Sequence, residues 1–161
     1  MRATGPASAA EKVVTINAIT ADGVGAKIGE IAVKEVGKGT EFKINVAEIP
    51  DGEHGFHVHE KGDCGPGLKD GKPAAGIAAG NHYDPQATKS HKGPHGAGHG
   101  GDLPKLTAKS TKISETVVAP NLPFAETAGR ALMIHEGGDT YSDTPESGGG
   151  KGRIACGVVP K

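Results

Sequence analysis

Between Lys12 and Ile49 the chain repeats one pattern: a run rich in β-branched or alternating residues, ended by a turn with glycine. Lys12–Ala21 carries Val13, Val14, Thr15, Ile16, Ile19 and Thr20, and Ala21-Asp22-Gly23 stops it. Lys27–Val36 carries Ile28, Ile31, Val33 and Val36 and runs into Gly37-Lys38-Gly39. Glu41–Ile49 alternates, with Phe42, Ile44 and Val46 on one face and Glu41, Lys43 and Asn45 on the other. That is the period of two of a half-buried strand. The 27 Gly and 11 Pro among 161 residues agree, because these are the two worst helix formers and argue against a helical bundle.

After the Pro50-Asp51-Gly52 turn, Gly55–His59 reads as a fourth strand. Leu103–Ala108 and Ile113–Val118 read as a hairpin around Lys109–Lys112, Arg130–His135 as a short strand, and Arg153–Val159 as the closing one. Glu60–Asp102 and Glu136–Lys151 lack strand signals. Loops of more than about 12–15 residues inside a compact domain are usually functional or disordered. Seven or eight short strands with turns between them imply an all-β antiparallel sandwich or flattened barrel. The expected division is an N-terminal arm, residues 1–11, and one domain, residues 12–161. The arm contains Ala7-Ser8-Ala9-Ala10, similar to the small-residue end of a secretory signal but without its apolar middle.

The formal net charge of -1 gives no global reason to expect nucleic acid as a partner. Uninterrupted apolar runs are only a few residues long, far below the ~20 of a membrane span. Cys64 and Cys156 allow two readings, a pair of buried thiols or one bridge from the first long loop to the last strand. No C-x-x-C is present, which removes the zinc knuckle and the thioredoxin-type redox pair.

The histidines carry the chemistry. In Gly55-Phe56-His57-Val58-His59 the strand alternation turns Phe56 and Val58 to the core and aims His57 and His59 together at the opposite face, half of a metal site. His82, His91, His99 and Asp102 follow in the glycine-rich loop, a set suited to zinc. His135 ends a strand. His57, His59, His82 and His135 make one imidazole set and His82, His91, His99 and Asp102 another, with His82 shared. Imidazole-rich ligation suits copper, and mixed imidazole and carboxylate suits zinc. His59-Glu60 is followed by Lys61-Gly62-Asp63, so the H-E-x-x-H of a zincin protease is missing.

These residues resemble the copper,zinc superoxide dismutase family, in particular its bacterial periplasmic branch. The ordered motifs are Gly55-Phe56-His57-Val58-His59, Gly80-Asn81-His82-Tyr83-Asp84-Pro85 and His99-Gly100-Gly101-Asp102-Leu103-Pro104. Met133-Ile134-His135, Gly137-Gly138-Asp139 and Gly152-Arg153-Ile154-Ala155-Cys156-Gly157-Val158 complete them. The resemblance implies an eight-stranded antiparallel Greek-key barrel with two long functional loops. It implies copper on His57, His59, His82 and His135, zinc on His82, His91, His99 and Asp102, and His82 as the bridge. It implies a Cys64–Cys156 disulfide, an anion-binding Arg153, and Asp139 as a carboxylate joining His57 to His91. The implied activity is dismutation of superoxide to oxygen and hydrogen peroxide, with copper cycling between Cu(II) and Cu(I), in a periplasmic or otherwise exported protein. The branch holds both monomers and dimers, so a homodimer stays open.

Several positions depart from the family. Asn81 stands where the branch has Gly, Gly100 replaces a Leu or Met, and Glu146-Ser147 interrupts the run before Gly148-Gly149-Gly150. His95 has no family role and is read as solvated. Every implied ligand is in place, so the departures bear on loop rigidity. Lys61, Lys69 and Lys72 are candidates for drawing an anion toward the site, against a plain role in solubility. Two rival readings are a non-catalytic copper/zinc-binding module of the same fold and a cupin-like metalloenzyme. The first does not need Arg153, and the second wants a Glu a few residues beyond H-x-H, where here Glu60 follows at once.

Overall fold

A computed structural model of the chain describes residues 11–84, 101, 103–139 and 152–161. Among them the strands are β1 (Glu11–Thr20), β2 (Gly23–Val36), β3 (Gly39–Ala47), β4 (Gly52–His54) and β5 (Phe56–His59). Then come β6 (Gly67–Lys69), β7 (Lys72–Ala74), β8 (Leu106–Ala108), β9 (Lys112–Ala119), β10 (Ala131–His135) and β11 (Arg153–Val158). Two short 3₁₀ turns, Ile77–Ala79 and Phe124–Thr127, complete the regular structure. Among the described residues no helix is long and apolar enough to cross a membrane.

One antiparallel sheet runs in the order β5-β10-β11-β1-β2-β3-β9, and β4 pairs separately with β8. β4 and β5 are one strand broken at Gly55, which bonds sideways: its N–H donates to Gly137 O and its carbonyl accepts from His135 N–H. With β4 and β5 counted together, the ladder has eight strands from β8 round to β9, as the resemblance implies. The first three strands form a meander, and the chain then crosses to the far side, giving the Greek key.

The expected hairpin of residues 103–118 is corrected. β8 and β9 share only the isolated bridge Lys109↔Lys112, and their ladders go to β4 and β3. This is the seam where the curled sheet meets itself. A side chain takes over from the lapsed ladder there, as Glu115 Oε2 accepts the Thr107 N–H at 2.8 Å.

The inside of the barrel follows the alternation read from sequence. Phe42, Ile44 and Val46 of β3 are buried with Ile31, Val33, Phe56, Val58, Leu132 and Ile134 in the main core. Phe42 and Phe56 meet edge to face with ring centroids 5.3 Å apart, an arrangement worth about 0.5–1.5 kcal/mol beyond area burial. The outside of β1, β2, β3 and β9 mixes exposed valines (Val13, Val36, Val118) with polar residues, Glu11, Lys34 and Glu41 standing opposite one another across three strands.

The first long loop departs from expectation. It contains the β6–β7 hairpin, which turns at Asp70 and Gly71 with φ of 54° and 79°. Positive φ at both central residues is the type I′ requirement, and Asp-Gly meets it. The flanks supply only Leu68 as a hydrophobic, so no alternation marks them.

Candidate metal centre

β5 and β10 lie side by side with Met133↔His57 and Ala131↔His59 as partners. His57, His59 and Met133 therefore leave the outer face of the barrel together, and His135 extends the row. All four are buried, because the loops between strands fold back over this face. The chain at the end of the first 3₁₀ turn, residues 79–83, runs antiparallel to β5. His59↔His82 is a β-bridge, Tyr83 N–H donates to Val58 O at 2.8 Å, and Glu60 N–H donates to Asn81 O at 3.0 Å. Gly101 bonds the other side of the same segment, taking Val58 N–H at 2.9 Å and giving its own N–H to Tyr83 O at 2.7 Å. A Cβ at position 101 would lie 2.3 Å from Val58 O, so only glycine permits this approach.

Four imidazoles converge as a result. One ligand nitrogen from each of His57, His59, His82 and His135 lies within 4.8 Å of the others. His57 and His82 stack at 3.8 Å between centroids, and His57 and His135 meet at 4.6 Å. His59 Nε2 and His135 Nε2 face each other at 3.2 Å, a spacing that one shared cation ~2 Å from each nitrogen would bridge.

Neighbouring groups fix the rings. Asp139 Oδ2 lies 3.0 Å from His57 Nε2, both side chains fully buried, which leaves Nδ1 as the atom His57 offers. Gly80 O lies 2.9 Å from His59 Nδ1, which leaves Nε2. Such outer partners set tautomer and ring orientation. Burial holds the His59 pKa well below the usual value, helped by the charges of Arg153, His135 and His82. The ring is therefore neutral at neutral pH, with a lone pair to give.

Arg153 opens β11 and pairs with His135 across the ladder. Its guanidinium Nη1 donates to Gly76 O at 2.7 Å, and burial lowers its pKa from the ordinary value. Gly76 has φ +69°, and a Cβ there would lie 2.9 Å from Ile19 Cδ1, 3.0 Å from Met133 Cε and 3.2 Å from Arg153 Cδ. Cys64 and Cys156 are bonded, with Cα atoms 5.8 Å apart, which resolves the two readings of the cysteines in favour of the bridge. The disulfide packs with Ile19, Ala79, Met133 and Ala131 in a small second core. Loop and Arg153 are thus held to the same strand.

Of the second set, only His82 is described. His91, His99 and Asp102 lie outside the described residues, as does His95, although Gly101 and Leu103 on either side of Asp102 are bonded to β5. Sequence reasoning passed over His54, which is buried, with Nδ1 2.8 Å from His135 O and Nε2 2.6 Å from Pro50 O. It also passed over the Tyr83, Glu126 and Arg130 group. His54 lies one position before the Gly55 motif, and Tyr83 inside the His82 motif. Neither carried a spacing signal of its own.

Residues 27–159 match the family described as copper/zinc superoxide dismutase (SODC). The superoxide dismutase [Cu-Zn] of Escherichia coli (strain K12) is 49% identical over 160 residues, 98% of this chain and 92% of that protein. The structure of Cu/Zn superoxide dismutase from Brucella abortus matches with TM-score 0.90 and 49% identity, covering 93% of this chain and 99% of that one. The solution structure of the monomeric copper, zinc superoxide dismutase from Salmonella enterica matches with TM-score 0.82 and 48% identity over 93% and 99%. With the family matched over most of its length and relatives near half identity, the chain belongs to the copper/zinc superoxide dismutases.

Proposed function

We propose that the chain converts two superoxide anions and two protons to one oxygen and one hydrogen peroxide. The observation that carries this reading is the buried set of His57, His59, His82 and His135 with Arg153 beside it. Neutral imidazoles are the donor set that suits copper, so the residues present fit the ion. Bound copper supplies the one-electron exchange that zinc cannot.

The four imidazoles would hold copper. His82, His91, His99 and Asp102 would hold zinc, with one ring nitrogen of His82 given to each set. The His82 nitrogen on the copper side takes up and returns a proton in each cycle. Arg153, fixed by Gly76 O, binds the anion and orients it beside the cluster. Asp139 holds His57 and would join the two sets through His91. Lys61, Lys69 and Lys72 are exposed around the entrance loop, and Lys69 and Lys72 are cross-strand partners. Like charges placed opposite cost stability, and here they supply a local positive field for an anion despite the net charge of -1. Every proposed ligand comes from one chain, so a monomer suffices and a homodimer would add surface alone. We also propose export to a periplasm, supported by the Cys64–Cys156 bond, since such bonds persist in oxidising compartments.

The test loads copper and zinc, records the Cu(II) electron paramagnetic resonance (EPR) spectrum, and assays superoxide removal in the same sample. A rhombic or axial nitrogen-ligated copper signal with rapid removal is expected. Full metal loading with no removal would instead make the chain a non-catalytic metal module.

A further inference from the structure

We infer that Arg130 is a positioning residue for the copper set, locking the two chain segments that present His59 and His82. The inference rests on the copper reading above and goes beyond its ligands.

Arg130 stands directly before β10, at the opposite end of that strand from His135. Its guanidinium does three things at once. Nη1 donates to Glu60 O at 2.9 Å, on the residue after His59. Nε donates to Glu126 O at 2.8 Å. Its central carbon lies 3.9 Å from the ring centroid of Tyr83, the residue after His82. The Tyr83 hydroxyl closes the group by donating to Glu126 Oε1 at 2.5 Å. Burial and this carboxylate raise the Tyr83 pKa, so the phenol keeps its proton as a donor.

The consequence follows from the backbone. His59 and His82 share a β-bridge, and their rings lie 5.0 Å apart. That bridge is an isolated one, with His82 outside any named strand, so the ladder alone fixes its register weakly. Glu60 adds a second tie, as its Oε1 accepts the Asn81 N–H at 3.3 Å. Arg130 grips the chain one residue beyond each partner of the bridge. A planar fork with a stackable face suits this job, and a lysine cannot make two directed bonds and a stack together.

The experiment compares wild type with Arg130→Lys, Arg130→Ala and Tyr83→Leu. Glu115→Ala, which loses the bond from the Thr107 N–H at the β8–β9 seam, serves as the stability control. Three readouts are taken: copper affinity by chelator competition, the Cu(II) EPR spectrum, and amide exchange at Glu60 and Tyr83 in the metal-free chain. Arg130→Lys is expected to weaken copper by about tenfold, as loss of an outer partner does. It should also change the EPR hyperfine splitting and speed exchange at both amides, while Glu115→Ala changes none of the three. Wild-type affinity, spectrum and exchange in Arg130→Lys, with only a lower melting temperature, would overturn the inference. If the Arg130 variants do not fold, Tyr83→Leu decides, because it removes the stacking surface and leaves both carbonyl bonds. Failure of wild type to take copper would defeat the functional reading instead, and amide exchange, which needs no metal, would still decide the role of Arg130.

Discussion

The outer faces of β3 and β5 obey the same alternation and end in opposite conditions. On β3, Lys43 and Asn45 point away from the core and are exposed to water. On β5, His57 and His59 also point away from the core, yet both are 0% exposed. The strands do not differ in geometry. They differ in what surrounds them: solvent in one case, and in the other residues 79–83, Gly101 and Leu103 bonded along β5, with the disulfide-held loop. A period of two thus tells which side of a strand a residue takes, and the long connections decide whether that side is dry. The candidate ligand imidazoles lie on the dry side, where burial lowers the His59 pKa.

The largest break in this comparison is on the dry outer face. His135→Ala should abolish copper-dependent activity, by more than the about 100-fold that an outer partner is worth, while zinc stays bound. Metal analysis that finds zinc lost and copper kept would contradict the assignment.

Opening the cover should come next. Cys64 and Cys156 are separated by 92 positions, and cutting so long a loop free costs about 4–5 kcal/mol in the chain-entropy model. Reduction, or Cys64→Ser with Cys156→Ser, should lower the melting temperature. It should also cut activity at temperatures where the chain is still folded, since Arg153 lies three residues from Cys156. Thiol counting by mass spectrometry alongside activity checks both, and full activity with two free thiols would count against the cover.

Within β3 the two faces can be set against each other directly. Phe42→Ala should cost about 3–5 kcal/mol, and Lys43→Ala, on the wet side, about 0.5 kcal/mol or less. Denaturant unfolding at one temperature measures both, and equal losses would mean that the outer face of β3 is not simply solvated.

A smaller effect is expected from Gly76→Ala. Its methyl would press on Arg153 Cδ and Met133 Cε from a backbone at φ +69°. The expected result is a kcat/KM lowered by about tenfold, equivalent to about 1.4 kcal/mol, with both metals retained. Unchanged kcat/KM would show that Arg153 accommodates the methyl.

The smallest effect is on pH. Unfolded, His59 titrates near 6.5, and folded without metal it is held well lower by burial and then by Arg153, His135 and His82. Between those values the unfolded chain binds the extra proton. Stability of the metal-free chain should therefore be full above about pH 6.5 and fall as pH drops below it. The slope from this one group is at most about 1.4 kcal/mol per pH unit. A flat melting temperature from pH 7 to 5 would show that the dry face admits a proton freely.

The strands of the ladder were legible because Phe42, Ile44 and Val46, or Val58 and Leu132, write the inner face in period two. The imidazole set was legible because H-x-H on a strand leaves no choice of side. The β6–β7 hairpin was not, since Asp70-Gly71 signals the turn but Leu68 is 71% exposed and its neighbours bury nothing. The separation of β8 from β9 was not, because a tight turn reads the same whether the strands pair with each other or part at a seam. Arg130 was not, because its three contacts, at Glu60, Tyr83 and Glu126, lie 70, 47 and 4 positions away and no local pattern joins them.

The pairing of β5 with β10 also sets an order of events. His59 and His135 stand 76 positions apart in the chain and come to 3.2 Å only once those two strands are in register. Contacts of such separation form late, after the cost of closing a long stretch of chain has been met. Until then His135 is missing from the set that His57, His59 and His82 could offer. A cation seated among all four rings therefore arrives at a finished barrel and cannot nucleate it. Its effect on lifetime is to slow the opening of β5 from β10, so a metal-loaded chain should persist through a slower unfolding rate with its folding rate unchanged.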